Sequence, residues 1–253
     1  MPKQQSKQIR IVLVEPAGPL NVGSVARIMK NMGFHHLVLV NPQCDPHGLE
    51  ARKMAVHAAE ILEKATIVQT LPEALKGCQR AIATTSLDRS LPTKLENPRH
   101  TLPWLLGHPA ALIFGREDRG LTNVELNYAQ RFVRIPSDDI YPSLNLAQAV
   151  AICCYELYHL QTIEVSDQQS EESSPTPAPN LEAPIDLIEA YYQDLETLLL
   201  KIGYLYPHTA SSRMEKIRRL FNRAYPSTEE VAMLRGMIRQ MNWALSQHCE
   251  NDS

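Results

Sequence analysis

The chain has 253 residues, 44% hydrophobic and 21% charged, the composition of a globular protein with room for one large domain or two small ones. Its formal net charge of −3 excludes a wholly basic nucleic-acid binder, and no apolar run has the length of a secretory core or a bilayer span, so a cytoplasmic protein without membrane attachment is expected. The five cysteines show no CxxC spacing, which points to free thiols in a reduced compartment and to no zinc site.

In chain order, IRIVLVE (Ile9–Glu15) is a β-branched run suited to a strand buried on both faces. NVGSVARIMKNMGF (Asn21–Phe34) repeats apolar residues at Val22, Val25, Ala26, Met29 and Met32, the spacing of a helix with one buried face. Arg27 stands inside that run, and on spacing alone it belongs to a solvated face. HLVLVNP is a second strand and Leu49–Lys64 an Ala-rich helix. ATIVQT reads as a short strand, PEALKGC as a helix, and RAIATTS and AALIFGRE as strands. LTNVELNYA opens a helix with Thr122 and Glu125 in capping-box positions. RFVRIPS is the last strand, and LNLAQAVAICCYELYHL the closing helix. Such alternation implies an α/β fold with a mainly parallel sheet over residues 1–160.

Residues 161–184 (QTIEVSDQQSEESSPTPAPNLEAP) carry five acidic residues, no Lys or Arg, and many Ser and Pro, which reads as a flexible linker. The charge divides as +3 before it, −5 within it and −1 after it, so the net acidity belongs to the linker. Residues 185–253 show helical periodicity over Ile185–Gly203, Ser211–Arg223 and Ser227–Gln247, with Ser227 and Glu230 placed as a capping box, and read as a small all-α domain.

Three polar or glycine-containing joints follow predicted strands: Glu15–Arg27, Phe114–Gly120, and Ile135-Pro136 with Ser143–Ala147. In open α/β sheets ligands bind outside these strand ends. None is a GxGxxG or phosphate loop, and no HExxH or His/Cys cluster suggests a metal. Singly, each has a bland reading. Gly115 and Gly120 permit turns, Ser143 and Asn145 cap a helix, and Glu117 pairs with Arg116 or Arg119 at the surface.

Together and in order, NVGSVARIMKNMGF, ALIFGREDRGLTNVEL and IPSDDIYPSLNLAQAVAICCYEL resemble the motifs of the SPOUT methyltransferases, TrmH/SpoU branch, over residues 9 to about 160. The tail KIRRLFNRAYPSTEEVAMLRGMIRQM resembles the C-terminal helical domain of the bacterial TrmJ group of tRNA ribose 2′-O-methyltransferases. The resemblance implies a parallel sheet with a C-terminal trefoil knot, S-adenosylmethionine as cofactor without metal, and a homodimer. It implies tRNA as substrate, modified at cytidine or uridine 32 of the anticodon loop. By motif position, Arg27, Asn21, Glu117, Ser143 and Asn145 are the catalytic group. Thr85, Ser86, Leu87, Gly115, Ile135, Ser143, Leu144 and Asn145 line the cofactor pocket. The resemblance makes Arg27 a base. A guanidinium holds its proton too tightly for that role to be the only account, and bidentate grip of a phosphate explains it equally well.

Positive charge for RNA gathers at Arg116, Arg119, Arg131 and Arg134, and again at Arg213, Lys216, Arg218, Arg219 and Arg223. Arg116, Arg119, Lys216, Arg219 and Arg223 are the expected RNA contacts. The tail shows no aromatic run of the kind that builds a single-strand stacking platform. Trp104, His100 and His108 read as packing or surface residues, and Cys153-Cys154 as core or interface filling. Two alternatives are methylation of ribosomal RNA, which the tail argues against, and a non-catalytic RNA-binding protein on the same fold, which Asn21, Arg27, Glu117 and Asn145 argue against.

Overall fold

The computed structural model of the chain describes residues 8–85, 95–167 and 182–251. The chain divides between residues 174 and 175 into two compact units.

The first unit is built on a seven-stranded sheet. Its strands are β1 (Ile9–Val14), β2 (His36–Val40), β3 (Thr66–Val68), β4 (Arg80–Thr84), β5 (Leu95–Glu96), β6 (Ala110–Phe114) and β7 (Arg131–Val133). The order is β3-β2-β1-β6-β4-β7-β5, and every pairing is parallel. All the strands therefore end on one edge, where their following loops gather. β6 lies at the centre and is buried throughout, as its unbroken apolar run AALIF requires. β5, two residues at the sheet's rim, is the strand that periodicity does not show; it pairs with β7 and is too short to carry a repeat.

Helix α1 (Pro19–Asn31) covers the sheet with Val22, Val25, Ala26 and Met29, all buried, each large side chain contributing about 1.5–3 kcal/mol. It starts two residues before the expected Asn21, because Pro19 is preset for a first helical position. Gly23 lets it approach α2 (Leu49–Ala55): a Cβ there would lie 2.2 Å from the Ala51 carbonyl oxygen. The expected continuous helix 49–64 is broken. Val56 adopts φ 53°, and a 3₁₀ turn at Val56–Ala58 separates α2 from α3 (Ala59–Glu63). Lys30 of α1 braces the break, donating to the His57 carbonyl at 2.6 Å and pairing with Glu60 at 2.9 Å.

Three shorter helices follow: α4 (Leu71–Leu75), α5 (Pro98–Thr101) and α6 (Asn123–Leu126). α6 is only one turn long, yet its capping box is complete: Glu125 N–H donates to Thr122 Oγ1 at 3.2 Å, and Thr122 N–H to Glu125 Oε2 at 2.6 Å. α7 (Leu146–Asp167) packs on α1 and continues past Gln161, where the change in composition places the start of a linker. Among the described residues no helix is long and apolar enough to cross a membrane.

The second unit holds α8 (Ile185–Lys201), α9 (Ala210–Ala224) and α10 (Thr228–Asn251) around Ile188, Tyr191, Tyr192, Leu198, Leu205, Met214, Val231 and Ile238. Tyr225 leaves α9 in the left-handed conformation, and Ser227 and Glu230 form the expected capping box for α10.

Candidate active site

β1 ends at Val14, and Glu15 turns the chain with φ 49°, a costly conformation for a residue with a Cβ. The residue after β2 does the same: Asn41 has φ 43° and donates from Nδ2 to Glu15 Oε1 at 3.2 Å. The turn brings the Ala17 and Gly18 N–H groups forward at the start of α1, a helix with no side-chain cap of its own.

Glu117 caps it from the loop after β6. Its carboxylate accepts from Ala17 N at 2.9 Å, Gly18 N at 3.1 Å and Asn21 Nδ2 at 3.0 Å. Partial burial raises its pKa, but the bonds from Ala17, Asn21 and Gly18 more than offset this and hold it below the usual carboxylate range. Glu117 thus pairs with neither Arg116 nor Arg119, as a surface reading of the motif proposed. It is an anion fixed on a helix N-terminus.

Asn145 closes the arrangement. Its Nδ2 donates to Asn21 Oδ1 at 3.1 Å. It also caps α7, with Oδ1 accepting from Ala147 N at 2.9 Å and its own N–H donating to Gln148 Oε1 at 3.2 Å. Capping and the link to Asn21 coexist in one side chain. Glu117, Asn21 and Asn145 are therefore a continuous hydrogen-bonded chain that ties together all three motif segments.

The loop after β6 is a tight cradle. Gly120, at φ 67°, donates its N–H to the Arg116 carbonyl at 2.8 Å. A Cβ on Gly115 would lie 2.2 Å from the Gly120 carbonyl carbon and 2.3 Å from Leu121 N, so only glycine fits. Arg119 is pinned beneath this loop by Glu15 at 2.8 Å and Glu125 at 3.1 Å, which raise its pKa. Its guanidinium, one-third exposed, is bonded inside the first unit, where the sequence reading expects an RNA contact. Arg116 lies 3.0 Å from Asp118 and 3.9 Å from Glu15.

Beside this chain opens a cavity of about 300 Å³. The loops after β4, β6 and β7 wall it with Thr84, Thr85, Gly115, Ile135, Ser143 and Leu144, among others. Of the expected cofactor residues, Thr85, Gly115, Ile135, Ser143 and Leu144 line it. Asn145 does not; it sits in the hydrogen-bonded chain alongside. Ser86 and Leu87 lie outside the described residues. Ser137 Oγ donates to the Pro142 carbonyl at 2.9 Å and shapes the approach to Ser143.

Arg27 is exposed, two turns along α1 from Asn21, and makes no hydrogen bond or ion pair with any described residue. Sequence reasoning missed Glu15 and Glu125 as organisers of the site. The Thr122/Glu125 pattern signalled a cap only, and nothing local shows that Glu15 faces Arg119 across the sheet edge. Trp104 lies between Arg80 and Arg131, whose guanidinium carbons stand 4.9 and 4.8 Å from its ring centre, so it is a packing residue, as read. Cys153 and Cys154 are buried in the core, and burial pushes Cys153 up to about 12 and Cys154 upward as well. Among the described residues no group of His, Cys, Asp and Glu is placed to hold a metal ion.

Comparison with known proteins agrees with this layout. Residues 8–155 match the model of the SpoU rRNA methylase family, and residues 186–251 that of the tRNA methyltransferase TrmJ C-terminal domain. The chain is 41% identical over 236 residues to a tRNA (cytidine/uridine-2′-O-)-methyltransferase, TrmJ, of Pectobacterium atrosepticum, covering 91% of this chain and 95% of that protein. It is 41% identical over 240 residues to a tRNA (cytidine/uridine/adenosine-2′-O-)-methyltransferase, TrmJ, of Pseudomonas aeruginosa, covering 92% and 93%. The crystal structure of TrmJ from Z. mobilis superposes with a TM-score of 0.79 at 27% identity, over 92% of this chain and 98% of that one.

Proposed function

The chain belongs to the SpoU rRNA methylase family, and on that premise we propose that it transfers a methyl group from S-adenosylmethionine to a ribose 2′-hydroxyl of tRNA, at cytidine or uridine 32 of the anticodon loop. The observation that carries this reading is 41% identity, spread over nine-tenths of the chain, to tRNA 2′-O-methyltransferases. Both the sheet unit and the helical tail take part in that identity, which favours tRNA over ribosomal RNA as substrate.

The cavity suits the cofactor. Ile135 and Leu144 offer apolar packing for an adenine ring, and the glycine cradle at Gly115 exposes backbone polar groups to its edge. S-adenosylmethionine supplies, when bound, a methyl group already activated on a sulfonium sulfur, so no metal is called for. The protein's task is then to place a ribose hydroxyl in line with it. Arg27, exposed and without a partner among the described residues, grips the phosphate next to the target ribose with its two-pronged donor face. Asn21, held by Glu117 and Asn145, fixes the helix end from which Arg27 is aimed. As the carbon–oxygen bond forms and the donor's carbon–sulfur bond breaks, its electron pair returning to sulfur, the hydroxyl proton passes to a phosphate oxygen or to water. Ser143 stands at the cavity mouth as a cofactor contact.

The division of labour follows the two units: residues 1–160 for catalysis and 185–253 for tRNA contact. The trefoil threading and the homodimer implied by the family belong to the same proposal. Tyr155 and Tyr158 of α7, 51% and 43% exposed, offer apolar surface for a second subunit. Incubation with labelled S-adenosylmethionine and bulk tRNA or rRNA, followed by mapping of 2′-O-methyl nucleotides, tests the reading. Transfer to tRNA position 32 is expected, and no transfer to any RNA would sink it.

A further inference from the structure

The segment between α8 and α9 is a run of turns and bends that buries Leu205 and leaves the residues around it exposed. Leu205 is 1% exposed and anchors it in the core of the second unit. On either side, Tyr204 and Tyr206 are 59% and 54% exposed, and His208 is exposed as well. The backbone beneath them is held: Leu205 N–H donates to Leu199 O at 3.0 Å, and both Thr209 N–H and Ala210 N–H donate to Tyr206 O at 2.9 Å. The rings are therefore large apolar faces presented to solvent on a fixed base.

They come with partners already stacked. The Arg213 guanidinium carbon stands 5.9 Å from the Tyr204 ring centre, and its Nη1 donates to the Tyr204 carbonyl at 2.9 Å. The Tyr206 and His208 rings lie 5.9 Å apart at 25°. From Arg213 a stripe continues along α9. Arg213, Lys216, Leu220 and Arg223 are spaced three, four and three residues apart, which places them on one side of the helix, and all four are exposed. None of the three cations has a carboxylate partner among the described residues. The other cations of α9 are committed within the unit: Arg218 pairs with Glu189 and covers Tyr192, and Arg219 reaches Glu215 at 3.6 Å.

Exposed aromatic faces beside unpaired cations are what an unpaired polynucleotide needs, with stacking for its bases and charge for its phosphates. A paired stem hides its base faces and uses only the cations. An apolar protein partner uses the rings and leaves three cations uncompensated. We propose that Tyr204, Tyr206 and His208, continued by Arg213, Lys216 and Arg223, form a stacking platform for unpaired nucleotides of the tRNA substrate. This rests on the reading of the chain as a tRNA-modifying enzyme. It adds the mode of contact, through aromatic residues that form no run in the sequence.

The test uses the full chain and two labelled RNAs with equal numbers of phosphates, a single-stranded oligouridine and a blunt, fully paired duplex. Tyr204→Ala and Tyr206→Ala should each weaken oligouridine binding by about 5- to 150-fold while changing duplex binding little. Tyr204→Trp and Tyr206→Phe should restore it. Lys216→Ala and Arg223→Ala should weaken both RNAs and flatten the salt dependence. Thermal unfolding and S-adenosylmethionine binding of each variant report on folding. If the alanine variants fold and bind oligouridine as the wild type does, or lose both RNAs equally, the platform is overturned. That result leaves methyl transfer by the wild type untouched. Absence of transfer to any tRNA instead overturns the enzyme reading, and the platform with it.

Discussion

Asn145 Nδ2 donates to Asn21 Oδ1 at 3.1 Å, joining residues 124 positions apart. The same Asn21 donates to Glu117. Each end of this bridge is also a helix start, so the bond fixes the start of α1, the helix that carries Arg27, to the start of α7. Both partners are partly in solvent, and either alanine variant should cost only about 0.5–1.5 kcal/mol of stability. Methyl transfer should fall far more, by about 100-fold, because a small misplacement of a positioned group is expensive. The double variant should lose little beyond the worse single one. Full additivity in single-turnover rates would show that the two do not act as a unit.

Glu117 makes the start of α1 pH-sensitive. Its folded-state pKa lies below the unfolded value, so its contribution is present above the ordinary carboxylate pKa and is lost as pH falls through the folded value. Glu125, likewise lowered, mainly by the Arg119 and Thr122 bonds against a raising effect of burial, acts in the same direction. Wild-type stability should therefore decline below about pH 4. Glu117→Gln should be less stable at pH 7 by about 0.5–2 kcal/mol and show a shallower decline on acidification. Urea unfolding from pH 3 to 7 measures both.

Arg27→Ala should leave stability within about 0.5 kcal/mol, since the side chain is exposed and bonded to nothing described. It should abolish methyl transfer while leaving S-adenosylmethionine affinity intact. Arg27→Lys should recover only part of the rate, because an ammonium lacks the planar fork. Equal loss of cofactor affinity, measured by calorimetry, would show that Arg27 belongs to the pocket wall.

Much of this was legible in the residues. The order of strands and helices follows from hydrophobic period and turn signals, and the three joints stand at strand ends where a site forms. Thr122/Glu125 and Ser227/Glu230 announced their caps because a capping box is local, set within four residues. What is not local was not legible. Glu15 meets Arg119, and Glu117 meets Ala17 and Gly18, only because parallel strands bring distant loops to one edge. The break at Val56, against the helical bias of an Ala-rich run, comes with a bond from Lys30 of α1, a residue distant in sequence. Tyr204, Tyr206 and His208 are too sparse to register as an aromatic run. Their common exposure depends on Leu205 turning inward between them.

Variants of Arg119 and of the α9 cations test which charges are structural and which meet RNA. Arg119→Ala breaks its links to Glu15 and Glu125, and at one-third exposure this should cost about 1 kcal/mol. The slope of log affinity against log salt for tRNA should not change. Lys216→Ala and Arg223→Ala should each leave stability unaltered and reduce that slope by about 1. A reduced slope for Arg119→Ala would return it to the RNA contacts.

Gly115 offers the sharpest steric test of the cavity. An added methyl group would meet the backbone of Gly120 and Leu121 at 2.2–2.3 Å, well inside van der Waals contact, and backbone cannot swing away as a flexible side chain does. To make room, the Arg116–Gly120 turn must open, and with it the wall that holds Glu117 toward α1. Gly115→Ala should therefore lower stability by about 1–3 kcal/mol and weaken S-adenosylmethionine binding by tenfold or more. The effect on binding should persist at temperatures where the variant is fully folded. Gly236→Ala on α10, where nothing lies within 4 Å of the added methyl, is the control and should be neutral or mildly stabilising. Wild-type cofactor affinity in folded Gly115→Ala would show that the cradle after β6 does not form the cofactor site.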